Sequence, residues 1–143
     1  EEFSEYYRLA LANLGMAYLK YFELKYDEAL VLLSNIIKHN FDILFRINLL
    51  RICIYIDTKE FDSAFSSLDS FRHFARTHKN VTERSKNDLL KICNNLDALA
   101  RYKSGDKKID LKLLRKTIMK DPPMFTNDLI LEKVNEAVFE KVR

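Results

Sequence analysis

Apolar residues along the first forty positions return at helical spacing. Tyr7, Leu11, Leu14, Tyr18 and Tyr21 or Phe22 make one stripe, and Tyr26, Ala29, Leu33, Ile36 and Ile37 make a second. The pattern predicts two amphipathic helices joined near Lys25. Ser4 is placed to cap the first, since its hydroxyl can accept from a first-turn amide, and the second is expected to end near His39 and Asn40. Residues 41–56, FDILFRINLLRICIYI, are apolar on nearly every side. Their β-branched content suits a strand, but the run is far longer than the usual strand of about five or six residues. A helix packed on both flanks is apolar all round, so this segment reads as a central helix.

Asp57 or Thr58 is expected to cap a fourth helix, with Glu60 in its first turn and Phe61, Ala64, Phe65, Leu68, Phe71 and Ala75 as its core stripe. After a polar break at 77–81, Thr82 opens a long helix to about Lys103, with Leu89, Ile92, Cys93, Leu96, Leu99 and Ala100 on its apolar side. Ser104-Gly105-Asp106 is a turn, because glycine adopts positive φ without steric cost. A short basic helix over 109–119 stops before Asp121-Pro122-Pro123, since the residue before a proline avoids the helical region. Thr126 is expected to cap a last helix in which Leu131, Val134 and Val138 face inward while Glu132, Lys133, Glu136 and Glu140 face water.

The second and fourth helices repeat one another. A shift of 35 positions lays Tyr26 on Phe61, Asp27 on Asp62, Ala29 on Ala64, Leu33 on Leu68 and Ile36 on Phe71. This spacing lies beside the roughly 34 residues of a tetratricopeptide unit. Leu14, Gly15 and Tyr18 resemble the Leu-Gly-aromatic motif in the first helix of such a unit. Ala29 and Ala64 resemble the small position of its second helix, and Pro122 the proline that ends a unit. A mid-helix glycine costs about 1 kcal/mol relative to alanine, so Gly15 is expected to sit against a neighbouring backbone or ring. The resemblance spans residues 1–76; beyond them only the number of helices matches.

The resemblance implies an all-α fold, a right-handed α-α superhelix of stacked helix-turn-helix pairs with about seven helices. The pairs are expected at about 4–39, 41–76 and 82–119, with a capping helix at about 126–142, in one domain over 1–143. Because the chain opens on Glu1, it is expected to be part of a longer protein. In this family the first helices line a concave groove for peptides or partner helices. That analogy nominates Leu9, Ala12, Met16, Lys20, Arg46, Leu49, Asn95 and Leu99 as groove residues.

Composition narrows the function. Two glycines and two prolines in 143 residues are too few for the turns of an all-β domain, and 48% hydrophobic with 31% charged residues excludes a disordered tail. No run reaches the roughly 20 apolar residues of a membrane span, so a cytoplasmic location is expected. Residues 1–70 carry 7 Lys/Arg against 11 Asp/Glu, whereas residues 71–143 carry 17 against 10. The densest charge is at 101–120, where Arg101, Lys103, Lys107, Lys108, Lys112, Arg115, Lys116 and Lys120 face only Asp106 and Asp110.

Catalytic chemistry finds little support. His39, His73 and His78 are not spaced to share a helical face, so no metal site follows. Cys53 and Cys93 sit in apolar patterns and read as buried, reduced thiols without an activating base. There is no glycine-rich phosphate loop. The sequence therefore predicts a protein without catalysis or cofactor that binds a peptide or amphipathic helix of another protein in its groove. Two alternatives remain: salt-dependent self-assembly through the oppositely charged ends, and nucleic-acid binding through 101–120, which the absence of interleaved aromatics disfavours.

Overall fold

The computed structural model describes residues 4–37, 41–120 and 125–142. Over those residues the chain forms seven helices and no strand, as expected of an all-α protein: α1 (Glu5–Phe22), α2 (Tyr26–Asn35), α3 (Phe41–Asp57), α4 (Phe61–Thr77), α5 (Glu83–Lys103), α6 (Leu111–Lys120) and α7 (Phe125–Val142). It divides into two compact units, Glu1–Glu60 and Phe61–Arg143. The boundary falls inside the expected second pair, 41–76.

In the first unit α1 packs on both α2 and α3, and α2 also packs on α3. Ser4 caps α1 by accepting from the Tyr7 amide at 3.3 Å. The stripe that α1 buries is Ala10, Leu14, Ala17 and Tyr21: Leu14 and Tyr21 are inside as expected, while Tyr7 and Tyr18 are half-buried and the alanines take the places between. Leu11 and Phe22 are exposed. Two alanines on the inner face let neighbouring helices approach closely beside Leu14 and Tyr21. α2 ends at Asn35, one turn earlier than expected, with Ile36 buried in extended backbone and Ile37 exposed. His39 and Asn40 lie outside the described residues. α3 buries eight residues, from Ile43 to Ile56, on several sides, as its pattern required. Tyr21 Oη donates to Asp57 Oδ2 at 2.6 Å, tying the end of α1 to the end of α3.

The turns that leave α1 and α3 have the same backbone. Leu24 and Lys59, also 35 positions apart, both take φ near +60°. The Lys25 amide donates to the Lys20 carbonyl at 2.9 Å, and the Glu60 amide donates to the Tyr55 carbonyl at 2.8 Å. These six-to-one bonds with a left-handed residue inside form a Schellman ending. Asp57 and Thr58 therefore close α3 and do not cap α4: Thr58 Oγ1 donates back to the Ile54 carbonyl at 2.9 Å. Glu60 precedes α4, which opens at Phe61.

In the second unit α4 packs on α5, α6 packs on α7, and α5 also touches α6 and α7. Thr82 caps α5 by accepting from the Ser85 amide at 3.2 Å, and all six apolar residues expected on that helix are buried. Arg72 of α4 and Arg101 of α5 converge on Asp97: Arg72 Nη1 lies 2.9 Å from Oδ2, and Arg101 Nε lies 2.6 Å from Oδ1. Arg72 also donates to Asn94 at 3.0 Å. This cluster bolts α4 to α5 at a buried carboxylate. Tyr26 and Phe61 are half-buried, and Ala29, Ala64, Leu33 and Leu68 are fully buried, so the repeated positions share one burial pattern.

α7 begins at Phe125, one residue before the expected cap at Thr126. Its buried stripe is Ile130, Lys133, Val134 and Ala137. Lys133, a residue that its charge would place in water, is only 4% exposed, and Leu131 and Val138 are half-buried. The inward face is turned by one residue from the expected one, because α7 packs on two helices, α5 and α6. Asp121, Pro122 and Pro123 lie outside the described residues.

Candidate interaction surfaces

The expected groove residues divide sharply. Leu49, Asn95 and Leu99 are buried, so these three belong to the interior and present no surface. α3 and α5 each bury eight residues, and a helix so covered has little face to spare. Arg46 is half-buried and paired with Asp42 of its own helix at 3.2 Å. Lys20 is half-buried and reaches Glu28 of α2 at 3.1 Å.

Leu9, Ala12 and Met16 remain, and they form one surface. Leu9 is 56% and Met16 47% exposed, Ala12 is exposed between them, and Leu19 continues the row. Spacings of three and four place these residues on one side of α1. Gly15 lies within this row and is itself exposed; a Cβ added there would meet nothing within 4 Å. The expected packing of a backbone or ring against Gly15 is therefore absent among the described residues, and the glycine faces open space.

The second surface is built on the basic segment. α5 ends in a Schellman turn at Gly105, φ +108°, where the Asp106 amide donates to the Arg101 carbonyl at 2.9 Å. Asp106 Oδ1 then accepts from the Lys108 amide at 3.0 Å. Asp110 Oδ1 caps α6, accepting from the amides of Lys112 and Leu113 at 3.0 and 3.2 Å. Both acids of the segment are thus engaged with backbone, and the lysines around them form no ion pair among the described residues.

α6 and α7 enclose an open cleft in two lobes, of about 520 and 360 Å³. Lys107, Lys108, Asp110 and Lys112 line the first, and Lys112, Arg115 and Lys116 line the second; Val138 borders both. The cleft thus gathers five of the eight expected basic residues. Arg101 is committed to Asp97 instead, and Lys103 and Lys120 do not line the cleft. The far wall comes from α7, where Asn135 accepts from Arg115 Nε at 2.8 Å and Phe139 stands 71% exposed. Sequence reading misses Asn135 and Phe139. They lie about twenty residues downstream, in a helix that reads only as a polar cap, and nothing local marks them.

Cys53 and Cys93 both lie in the interior. Burial pushes the Cys93 thiol up from 9.0 to about 11, against the opposing pull of Arg72 and Arg76, so it stays protonated near neutral pH. Burial likewise raises Tyr18 to about 12, and it raises Tyr21 further, with help from Cys53 and from the hydrogen bond to Asp57. Among the described residues no group of three His, Cys, Asp or Glu is placed to hold a metal ion, and no helix is long and apolar enough to cross a membrane.

Comparison with protein-family models, with characterised proteins and with solved structures finds no match for this chain.

Proposed function

We propose that this chain is a non-catalytic protein-interaction or scaffold module that docks an amphipathic helix or apolar peptide along the outward face of α1. The observation that carries this reading is the exposed row Leu9, Ala12, Met16 and Leu19, with Gly15 open at its centre. A glycine in mid-helix costs about 1 kcal/mol relative to alanine, and no described neighbour in this chain uses the space it leaves. A partner helix lying across Ala12 and Gly15 would use that space, with Leu9, Met16 and Leu19 covering its flanks. Exposed apolar surface that is continuous is more informative than scattered exposed residues.

The wider reading is a divergent tetratricopeptide-like stack, a right-handed superhelix of hairpins. It is supported by the matching turns at Leu24 and Lys59 and by the matching burial of Ala29 and Ala64. The docking face is narrower than the expected groove, since it draws on α1 alone.

A photocrosslinking residue placed at Met16 of the full chain, in extract of the source cells, tests the proposal. A discrete crosslinked product that disappears when Gly15→Leu fills the row is expected. Crosslinking that is diffuse, or unchanged by Gly15→Leu, would overturn it. A product at twice the chain's own mass would make the partner a second copy.

A further inference from the structure

The cleft between α6 and α7 belongs to the second unit and owes nothing to the α1 face. We propose that it binds an acidic peptide segment carrying a large apolar side chain.

Charge is the first reason. Lys107, Lys108, Lys112, Arg115 and Lys116 converge on one wall without an ion pair among the described residues, while Asp106 and Asp110 are held on backbone amides. Asp110 lines the first lobe as well, but the five cations outnumber it; like charges in excess repel one another, and an incoming carboxylate relieves that repulsion. The hydrogen-bond partner of Arg115, Asn135, is neutral and leaves the guanidinium charge uncompensated.

Apolar surface is the second. The exposed large apolar residues of this unit, among those described, are Leu113, Met119 and Phe139, all on α6 or α7. Val138 borders both lobes and Phe139 lines the second, so an apolar group entering between the cations is covered by carbon on the α7 side. A purely ionic ligand would leave that side uncovered.

The α7 wall chooses between a peptide and a nucleic acid. Glu132 and Glu136 are exposed and share a helical face with Asn135 and Phe139. A nucleic-acid backbone is negative along its whole length and meets repulsion from that face. A peptide can turn its carboxylates to α6 and neutral or basic residues to α7. One exposed aromatic residue also falls short of the stacking platform that single strands use.

Fluorescence anisotropy with the full chain tests this. The probes are a labelled short peptide of Asp and Glu around a central Leu-Phe pair, the same peptide with Ser-Ser at its centre, and a labelled oligothymidylate. The Leu-Phe peptide is expected to bind best and to weaken with added salt. Lys112→Glu with Lys116→Glu is expected to lower its affinity by about tenfold or more. Phe139→Ser is expected to erase its advantage over the Ser-Ser peptide. All three altered side chains are exposed, and unchanged circular dichroism would show that the variants fold. Equal binding of the two peptides, tighter binding of the oligothymidylate, indifference to charge reversal, or no binding would each overturn the proposal. Met16→Glu on α1 should leave peptide binding intact, which separates failure here from failure of the α1 reading.

Discussion

The two units use the same helical vocabulary and finish their surfaces in opposite ways. Of the twelve large apolar residues exposed among those described, nine lie between Tyr6 and Ile37 of the first unit. The second unit has three, all on α6 or α7, and joins α4 to α5 through a buried carboxylate gripped by two arginines. The first unit packs α1 through alternating small and large residues, Ala10, Leu14, Ala17 and Tyr21, and leaves Leu9, Leu11, Met16, Leu19 and Phe22 turned outward. The second buries large apolar groups on α5 and α6 and presents charge. A helix whose inner face includes small residues can come close to its neighbours and still keep a greasy outer face.

The sharpest way to break this contrast is to remove the carboxylate that the second unit depends on. Asp97→Ala takes the buried carboxylate from the largely buried Arg72, leaving it only Asn94 and the exposed Asp69, and is expected to destabilise that unit by about 2–3 kcal/mol, read as a lower urea midpoint by circular dichroism. Loss of less than about half a kcal/mol would mean that the cluster is ornamental.

Overpacking should strike both units alike. Ala29→Leu and Ala64→Leu each force extra methylene groups into fully buried positions, at an expected cost of about 1–3 kcal/mol. If one is tolerated and the other is not, the two positions do not play the same part, and the 35-residue repeat is a coincidence of sequence.

High pH separates the units by their buried acids. The folded second unit keeps the Cys93 proton up to about pH 11, whereas a thiol with the ordinary value of 9.0 loses it earlier. Between those values the native state binds more protons than the unfolded one, so stability is full below about pH 9 and falls as pH rises towards 11. Cys93→Ala is expected to flatten that decline in urea melts. Tyr18 and Tyr21, raised from 10.0, should add a later loss in the first unit.

The smallest effects are gains. Gly15→Ala adds a methyl group into open space in mid-helix and should stabilise the first unit by up to about 1 kcal/mol. Lys59→Gly relieves a left-handed residue and should give about 0.5 kcal/mol once the extra freedom of unfolded glycine is subtracted. A destabilising Gly15→Ala, seen as a lower thermal midpoint, would mean that the chain itself occupies that space.

The α1 row is partly legible in the sequence. Leu9, Ala12 and Met16 are exposed, whereas Leu49, Asn95 and Leu99, nominated beside them, are core. Helical period tells which residues share a side and is silent on how many sides a helix buries. α3 and α5 bury several, so an analogy that puts surface residues there fails for a physical reason. Lys133 departs from expectation similarly, since a lysine reads as solvated until packing on two neighbours turns its face inward.

What the sequence determined by itself was local: the all-helical character, the caps at Ser4 and Thr82, the turn at Gly105, and the alanines at 29 and 64. Each depends on groups within a few residues, namely hydroxyls beside free amides, a backbone without a Cβ, or apolar side chains at helical period. Tertiary structure decided which face of α1 went inside, that Leu24 and Lys59 would take a conformation usually left to glycine, and that Phe139 would stand opposite the lysines of α6. Those outcomes depend on the distance of closest approach between helices far apart in the chain, which no short-range pattern records.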